Sequence, residues 1–323
     1  MKIGIIGTGW IAGMLAKTIK GMENVEAYAV ASRRQDTADA FAREWGITRA
    51  YGSYEAMLDD EQVELVYIAT PHSLHYENAI QCILKGKPVL CEKAFTVNAW
   101  QAEEVLNLAK EKNVFITEAI WTRYMPLSQK INEILASGVI GYPMMLSANL
   151  GYPIADKERS KEPSLAGGTL LDLGVYPVNF ASMVFGTEVE NIVSSCTKML
   201  TGVDAQNSIT ITFKSGQMAV LHSSMYVKTD RQGVISGREG HLIVENINNP
   251  QSITVVNNNY ETVARYDCPP QITGYEYQVY ACMEALRNGW LESPYMPHAE
   301  TVRIMRMMDD LRKEWGVRYP FDR

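Results

Sequence analysis

No apolar run in this chain is long enough to span a bilayer, and no charged, apolar and small-residue leader precedes the first strand-like segment at Lys2. The expectation is a cytoplasmic protein with no membrane partner. Cysteine is scarce: Cys82, Cys91, Cys196, Cys268 and Cys282 are odd in number, scattered and without a Cys-x-x-Cys pair. That pattern argues against a disulfide framework and a zinc cluster, and for free thiols in a reducing compartment. Positive charge is also in deficit. A formal net charge of -7 and a pI near 5.4 leave no concentrated basic surface for nucleic acid, so any phosphate site must be local.

What remains is ordinary globular material, 46% apolar and 21% charged, with no repeat or low-complexity tract to suggest disorder. A chain of 323 residues exceeds what one core usually organises, which points to two domains. From Lys2 to about Ala119, short apolar runs alternate with helical stretches: Lys2 to Gly7, Val25 to Ala31, Leu65 to Ala69, Pro88 to Cys91 and Val114 to Thr117. Such runs separated by helices predict a doubly wound parallel α/β sheet covered on both faces, a Rossmann domain over residues 1–119. One intervening helix is legible over Asn98 to Lys112, where Ala102, Val105, Leu106 and Ala109 recur at spacings of three and four.

After Glu118 the texture changes. Helices are expected near Leu127 to Ser137 and Asp172 to Val184, then strands over Val189 to Leu200, Asn207 to Phe213, Gln217 to Val227, Gly233 to Gly237, Gly240 to Ile247 and Ser252 to Val256. Helices near Tyr275 to Asn288 and His298 to Gly316 close the chain. Residues 120–323 therefore predict an α+β domain on one open, mostly antiparallel sheet, its last helix free to pack back on the first domain.

Gly7-Thr8-Gly9-Trp10-Ile11-Ala12 follows an apolar strand and opens a helix, the context of a dinucleotide fingerprint. Gly7 permits the tight turn, Gly9 admits a pyrophosphate, Ala12 keeps helix and sheet close, and the helix amides hold the anion. The second strand ends in Ser32-Arg33-Arg34, where an NAD-specific enzyme would carry a carboxylate for the ribose 2′-hydroxyl. A hydroxyl and two guanidinium groups suit a 2′-phosphate instead, so NADP is the expected cofactor, with NAD the alternative. Thr70-Pro71-His72 and His75 follow the strand at Leu65, on the edge where open α/β sheets bind ligands. Without a third ligand the histidines do not predict a metal; His75 reads as a helix-start or cofactor-lining residue.

These segments, with Gly86 to Lys93 and Gly167-Gly-Thr-Leu-Leu-Asp172-Leu-Gly-Val-Tyr176, resemble the glucose-fructose oxidoreductase, inositol dehydrogenase and rhizopine-catabolism (Gfo/Idh/MocA) family over essentially the whole chain. Glu118-Ala-Ile-Trp121-Thr-Arg123-Tyr, the stretch from Tyr176 to Gly186, and Glu292-Ser-Pro294 look most like its dimeric dihydrodiol dehydrogenase and NADP-dependent D-xylose dehydrogenase branch. The resemblance implies hydride transfer between a nicotinamide and a hydroxyl-bearing carbon of a sugar, polyol or vicinal diol. Its Glu-Lys-Pro motif falls on Glu92-Lys93, with Ala94 in place of proline, and makes Lys93 catalytic; its Asp and Tyr/His pair falls on Asp172 and Tyr176.

At i, i+4, Asp172 and Tyr176 would share one helix face, although Pro177 marks a helix start or a kink. Oxidising an alcohol also removes a proton, and a free tyrosine, with a pKa of about 10, needs a neighbouring ammonium to serve near neutrality. Tyr176 is therefore expected to transfer the proton, Lys93 to favour phenolate and bind the hydroxyl, and Asp172 to orient substrate or a neighbouring side chain. Trp121, Arg123 and residues 157–168 are the expected substrate wall or lid, with core packing an equal reading of Trp121. An open sheet leaves an apolar face, which predicts a homodimer or higher homo-oligomer. Two other readings stay open: an NAD-dependent inositol or sugar-acid dehydrogenase, and a non-enzymatic NADP-binding redox sensor.

Overall fold

The structure, a computed structural model, describes residues 1–323. Six short strands, β1 (Lys2–Ile6), β2 (Glu26–Ala31), β3 (Arg49–Tyr51), β4 (Leu65–Ile68), β5 (Val89–Glu92) and β6 (Ile116–Ala119), form one parallel sheet in the order β3-β2-β1-β4-β5-β6. Four of them, β1, β4, β5 and β6, are buried over nearly every residue, as a sheet with helices on both faces requires. The covering helices are α1 (Trp10–Lys20), α2 (Gln35–Trp45), α3 (Tyr54–Leu58), α4 (His75–Leu84) and α5 (Ala99–Lys112). In α5 the expected stripe of Ala102, Val105, Leu106 and Ala109 is buried, each larger aliphatic contributing about 1.5–3 kcal/mol. Asn98 caps this helix by accepting from the Gln101 amide at 3.2 Å. Strand order reverses between β1 and β4, and open α/β sheets bind ligands at the carboxyl ends of the strands beside such a reversal.

The second sheet comprises β7 (Pro143–Gly151), β8 (Val189–Lys198), β9 (Asp204–Phe213), β10 (Met218–Ser224), β11 (Gly233–Gly237), β12 (Gly240–Glu245), β13 (Ser252–Asn257) and β14 (Thr262–Asp267). Its order is β14-β13-β12-β11-β7-β10-β9-β8, antiparallel throughout except for the β7–β10 pair. Helices α6 (Pro126–Ala136), α7 (Glu158–Lys161) and α8 (Val175–Phe185) belong to this part of the chain. Alternate residues such as Leu146, Ala148, Ile209, Ile211, Ala219 and Leu221 are buried on one face, where α8 packs against β7 and β10. On the other face Met145 and Met218, paired in register, are 49% and 39% exposed.

Helices α9 (Glu276–Asn288) and α10 (His298–Trp315) complete the chain. Two compact units result: residues 1–120 with 271–306, and residues 121–270 with 307–323. The division is therefore discontinuous, unlike the expected boundaries of 1–119 and 120–323. A physical reason lies at β6, the edge of the parallel sheet. The Ile116 amide donates to the Leu291 carbonyl at 3.1 Å, and the His298 ring lies 2.9 Å from the Ile116 carbonyl, so the returning segment satisfies an edge that would otherwise be open.

Candidate active site

In the first unit, the turn after β1 is built by backbone geometry. Gly7 has φ +108, and a Cβ there would meet the Ala69 carbonyl oxygen at 2.8 Å, so only glycine fits. A Cβ on Gly9 would meet nothing within 4 Å. Open space thus lies over the first turn of α1, where the leading amides have no helical partner and favour an anion. Thr8 and Ile11 are half-buried and Trp10 is 74% exposed beside this opening. The cradle fits a dinucleotide pyrophosphate.

At the end of β2, Ser32 is half-buried and Arg33 and Arg34 are exposed. Arg34 donates through Nε to Asp36 at 3.0 Å and pairs with the same carboxylate through Nη2. These contacts hold the Asp36 carboxyl down at about 2. Arg33 makes no ion pair. Of the two cations expected to meet a 2′-phosphate, one is already matched by an acid.

The Lys93 turn is held from behind. His75 is fully buried at the start of α4, its ring nitrogens 2.9 Å from the Thr70 and Ala94 carbonyl oxygens. Burial holds the His75 pKa below its usual value. The neutral ring then donates to one carbonyl at a time and ties the loop after β4 to the loop after β5. His75 is also the first residue of α4, as the helix-start reading expects. The Asn78 amide fixes the Thr70 hydroxyl at 3.0 Å, while His72 is buried edge-on to His75, ring centroids 5.7 Å apart. Glu92 is buried and accepts from the Tyr67 hydroxyl. Lys93 is half-buried, and the Lys93–Ala94 bond is cis although Ala94 stands where the family has proline. The Phe95 amide donates to Glu118 at 3.2 Å. No group of three His, Cys, Asp or Glu residues could hold a metal ion.

In the second unit, Leu170–Gly174 forms a π turn that runs into α8. Asp172 sits in that turn and Tyr176 in the first turn of α8, so the two do not share one regular helix. Pro177 also falls in that first turn, where a missing amide proton is tolerated. Asp172 is buried and receives Nη1 of Arg159 at 2.6 Å; Arg159, on α7, is 45% exposed along its side chain. The Trp121 indole donates to the Tyr176 hydroxyl at 3.1 Å, with both residues buried. Arg123 is also buried. Its Nε donates to Asn179 Oδ1 at 2.6 Å and ties the Trp121–Tyr124 turn to α8.

Sequence reasoning did not single out Asp204. Fully buried, it accepts the Leu170 amide at 2.7 Å and the Asn207 amide at 3.0 Å, anchoring the π turn that carries Asp172. Gly168, at φ +122, passes so close to this carboxylate that a side chain there would collide with it. Tyr319, from the chain's last turn, donates to the Gly167 carbonyl while Arg312 stacks 4.5 Å over its ring. Burial pushes Asp204 up to about 6, against the pull of these donors and of Arg312. Because the folded value lies above that of a free aspartate, about 3.9, the folded protein binds this proton more tightly than the unfolded chain does. Stability from this group is complete below about pH 4 and declines as pH rises through 6, by on the order of 3 kcal/mol in total. Asp204→Asn is expected to flatten that part of the pH–stability curve; denaturant unfolding between pH 4.5 and 7 checks it, and an unchanged slope would count against this origin.

The family model described as "Oxidoreductase family, NAD-binding Rossmann fold" matches residues 1–119, and the GFO/IDH/MocA C-terminal domain model matches residues 128–243. The chain is 33% identical to trans-1,2-dihydrobenzene-1,2-diol dehydrogenase of Mus musculus over 100% of its own length and 99% of that protein's. It is 35% identical to D-xylose 1-dehydrogenase (NADP(+)) of Hypocrea jecorina, with 99% and 93% covered. Among solved structures, an aldose-aldose oxidoreductase from Caulobacter crescentus, complexed with glycerol, superposes with a TM-score of 0.88 at 20% identity, covering 97% and 96%. A 3-ketoreductase from Actinomadura kijaniata, with NADP and TDP-benzene, gives 0.87 at 24%, covering 97% of each chain. By two matching domain models and full-length identity above three in ten, the chain belongs to the Gfo/Idh/MocA oxidoreductase family.

Proposed function

We propose that this chain is an NADP-dependent oxidoreductase acting on a hydroxyl-bearing carbon of a sugar, polyol or vicinal diol. The observation that carries the reading is the buried Asp172 on the π turn with the buried Tyr176 at the head of α8, in a chain whose other unit holds an open glycine cradle. The full-length likeness to dihydrodiol and D-xylose dehydrogenases supports the same substrate class. Gly7, Thr8, Gly9, Trp10 and Ile11 bind the pyrophosphate, Ser32 and Arg33 with Arg34 the 2′-phosphate, and Thr70, Pro71 and His72 line the cofactor. When bound, the nicotinamide supplies the hydride acceptor. Tyr176 takes the proton from the substrate hydroxyl, Lys93 binds that hydroxyl and favours the phenolate, and Asp172, held by Arg159, orients the substrate.

A panel of aldoses, inositols and vicinal diols tested for NADP+ reduction examines this reading. Turnover of at least one class is expected; none with either cofactor would overturn it. A second reading, an NAD-dependent inositol or sugar-acid dehydrogenase, draws support from the Arg34–Asp36 pair, which offsets half of the added positive charge. The reading also includes a cytoplasmic location, supported by five free cysteines, and a homodimer formed through the outer face of the second sheet. Met145 and Met218, side by side and exposed, mark that face. Sedimentation at micromolar concentration is expected to find a dimer, and the M145E/M218E variant to find monomer. A monomeric parent, or a variant that stays dimeric, would refute the assembly.

A further inference from the structure

The hydroxyl of Tyr176 meets a donor that composition and spacing did not assign to it. Trp121 stands in the Trp121–Tyr124 turn, and its indole N–H points at the Tyr176 oxygen at 3.1 Å; the two residues are only 7% and 8% exposed. The turn is fixed on several sides. The Thr122 hydroxyl donates to the Asn248 carbonyl at 3.0 Å, the Ser128 hydroxyl to the Thr122 carbonyl at 2.6 Å, and Arg123 to Asn179 at 2.6 Å. Asn179 lies one helical turn beyond Tyr176 on α8, so the link that places the indole runs to the same helix that carries the phenol.

An indole N–H donates and never accepts, and it keeps its proton across the working pH range. A hydrogen bond to an oxygen that becomes charged is stronger than one to the neutral group, and little water competes where both partners are buried. The contact therefore favours phenolate over phenol. It also fixes which side of the oxygen is occupied, leaving the substrate's proton to approach from elsewhere.

We infer that Trp121 is a positioning residue of the proton-transfer step, which stabilises the charged form of Tyr176 through its indole N–H and so sets the pH range of the reaction. This rests on the reading of Tyr176 as the proton carrier. As the substrate O–H bond breaks, its proton joins the Tyr176 oxygen while the indole stays bonded throughout. The role differs from a substrate wall, for which the N–H would be dispensable.

Trp121→Phe removes the donor and keeps an aromatic ring. The acid limb of alcohol oxidation is expected to move up by about one pH unit or more, the span of a charge-assisted hydrogen bond. Turnover near neutrality then falls about tenfold and recovers towards the parent rate in alkaline buffer, with NADP+ affinity unchanged. Independently of turnover, the NADP+-loaded protein carrying ring-labelled tyrosine can be titrated by NMR, with the Tyr176 signal assigned by its loss in Tyr176→Phe. Its midpoint is expected to rise by the same interval in Trp121→Phe.

An unmoved midpoint, or a rate loss equal at every pH, overturns the inference and leaves Trp121 as packing or substrate contact. Should Trp121→Phe not fold, protein made with fluorinated tryptophan, a stronger donor, is titrated instead; the midpoint then moves down, and a static one contradicts the inference. Full activity of Tyr176→Phe would strike the functional reading itself, whereas an inactive Tyr176→Phe with an unmoved Trp121→Phe profile strikes only this one.

Discussion

Replacing Tyr176 with phenylalanine is expected to cut kcat for alcohol oxidation by about 10²–10⁴-fold, the usual contribution of a positioned acid or base. The ring that packs at the head of α8 is retained, so neither melting temperature nor NADP+ affinity should change appreciably. The argument depends on the oxygen alone. Tyr176 is buried and fixed by the Trp121 indole, so a proton delivered to it stays out of bulk solvent, and no other tyrosine occupies the π-turn junction. Deletion at Lys93 should lower turnover too, but with added loss of substrate affinity, since an ammonium also holds the hydroxyl. Near-parental kcat in Tyr176→Phe, measured with saturating cofactor, would remove this residue from the chemistry.

The second large effect is expected at the end of β2. Arg33 is exposed and unpaired by any carboxylate, so it is the cation available to a 2′-phosphate; Arg34 is partly committed to Asp36. A charge-assisted contact contributes about 1.5–3 kcal/mol, which corresponds to roughly 10–100-fold in affinity. Arg33→Ala is therefore expected to weaken NADP+ by that factor and leave NAD+ nearly unchanged. Adding Ser32→Asp places an acid beside the ribose hydroxyl and repels phosphate, so the double variant should prefer NAD+. Titration calorimetry of both cofactors against each variant reads the outcome. Equal weakening of NAD+ and NADP+ would show that Arg33 acts on adenine or on the fold, and that the phosphate is held elsewhere.

The parallel sheet was legible because its inner strands are buried on both faces, and continuous apolar runs such as Leu65 to Ile68 advertise that condition. Strand β3, three residues long and half-exposed at the sheet edge, has no such run. Strand β7 was missed for another reason. Pro143, Ser147 and Asn149 dilute its pattern, and its parallel pairing with β10 is a long-range contact that no local residue encodes. Exposed β14 alternates without an apolar face, so no local pattern marks it as a strand.

The glycine cradle and the residues carrying Lys93, Asp172 and Tyr176 were visible as motifs, while their partners were not. A spacing of four promised a shared helix face for Asp172 and Tyr176; the π turn changes that geometry, and Pro177 was the one local sign. Arg159 and Asp204 hold the turn from 13 and 34 residues away, respectively, distances at which sequence carries no pairing signal. Arg34 and Asp36 are only two residues apart, yet whether they pair depends on the extended backbone of Arg34 leading into α2.

Isotope transfer from substrate to cofactor offers the most direct measurement. An aldose or diol deuterated at the reacting carbinol carbon is incubated with the protein and NADP+ in ordinary water, and the reduced cofactor is weighed by mass spectrometry. The account predicts one deuterium in the dihydronicotinamide, with formation lost in Tyr176→Phe. Reduced cofactor without deuterium, or no cofactor reduction by any deuterated sugar or diol under conditions where NADP+ binds, would contradict it.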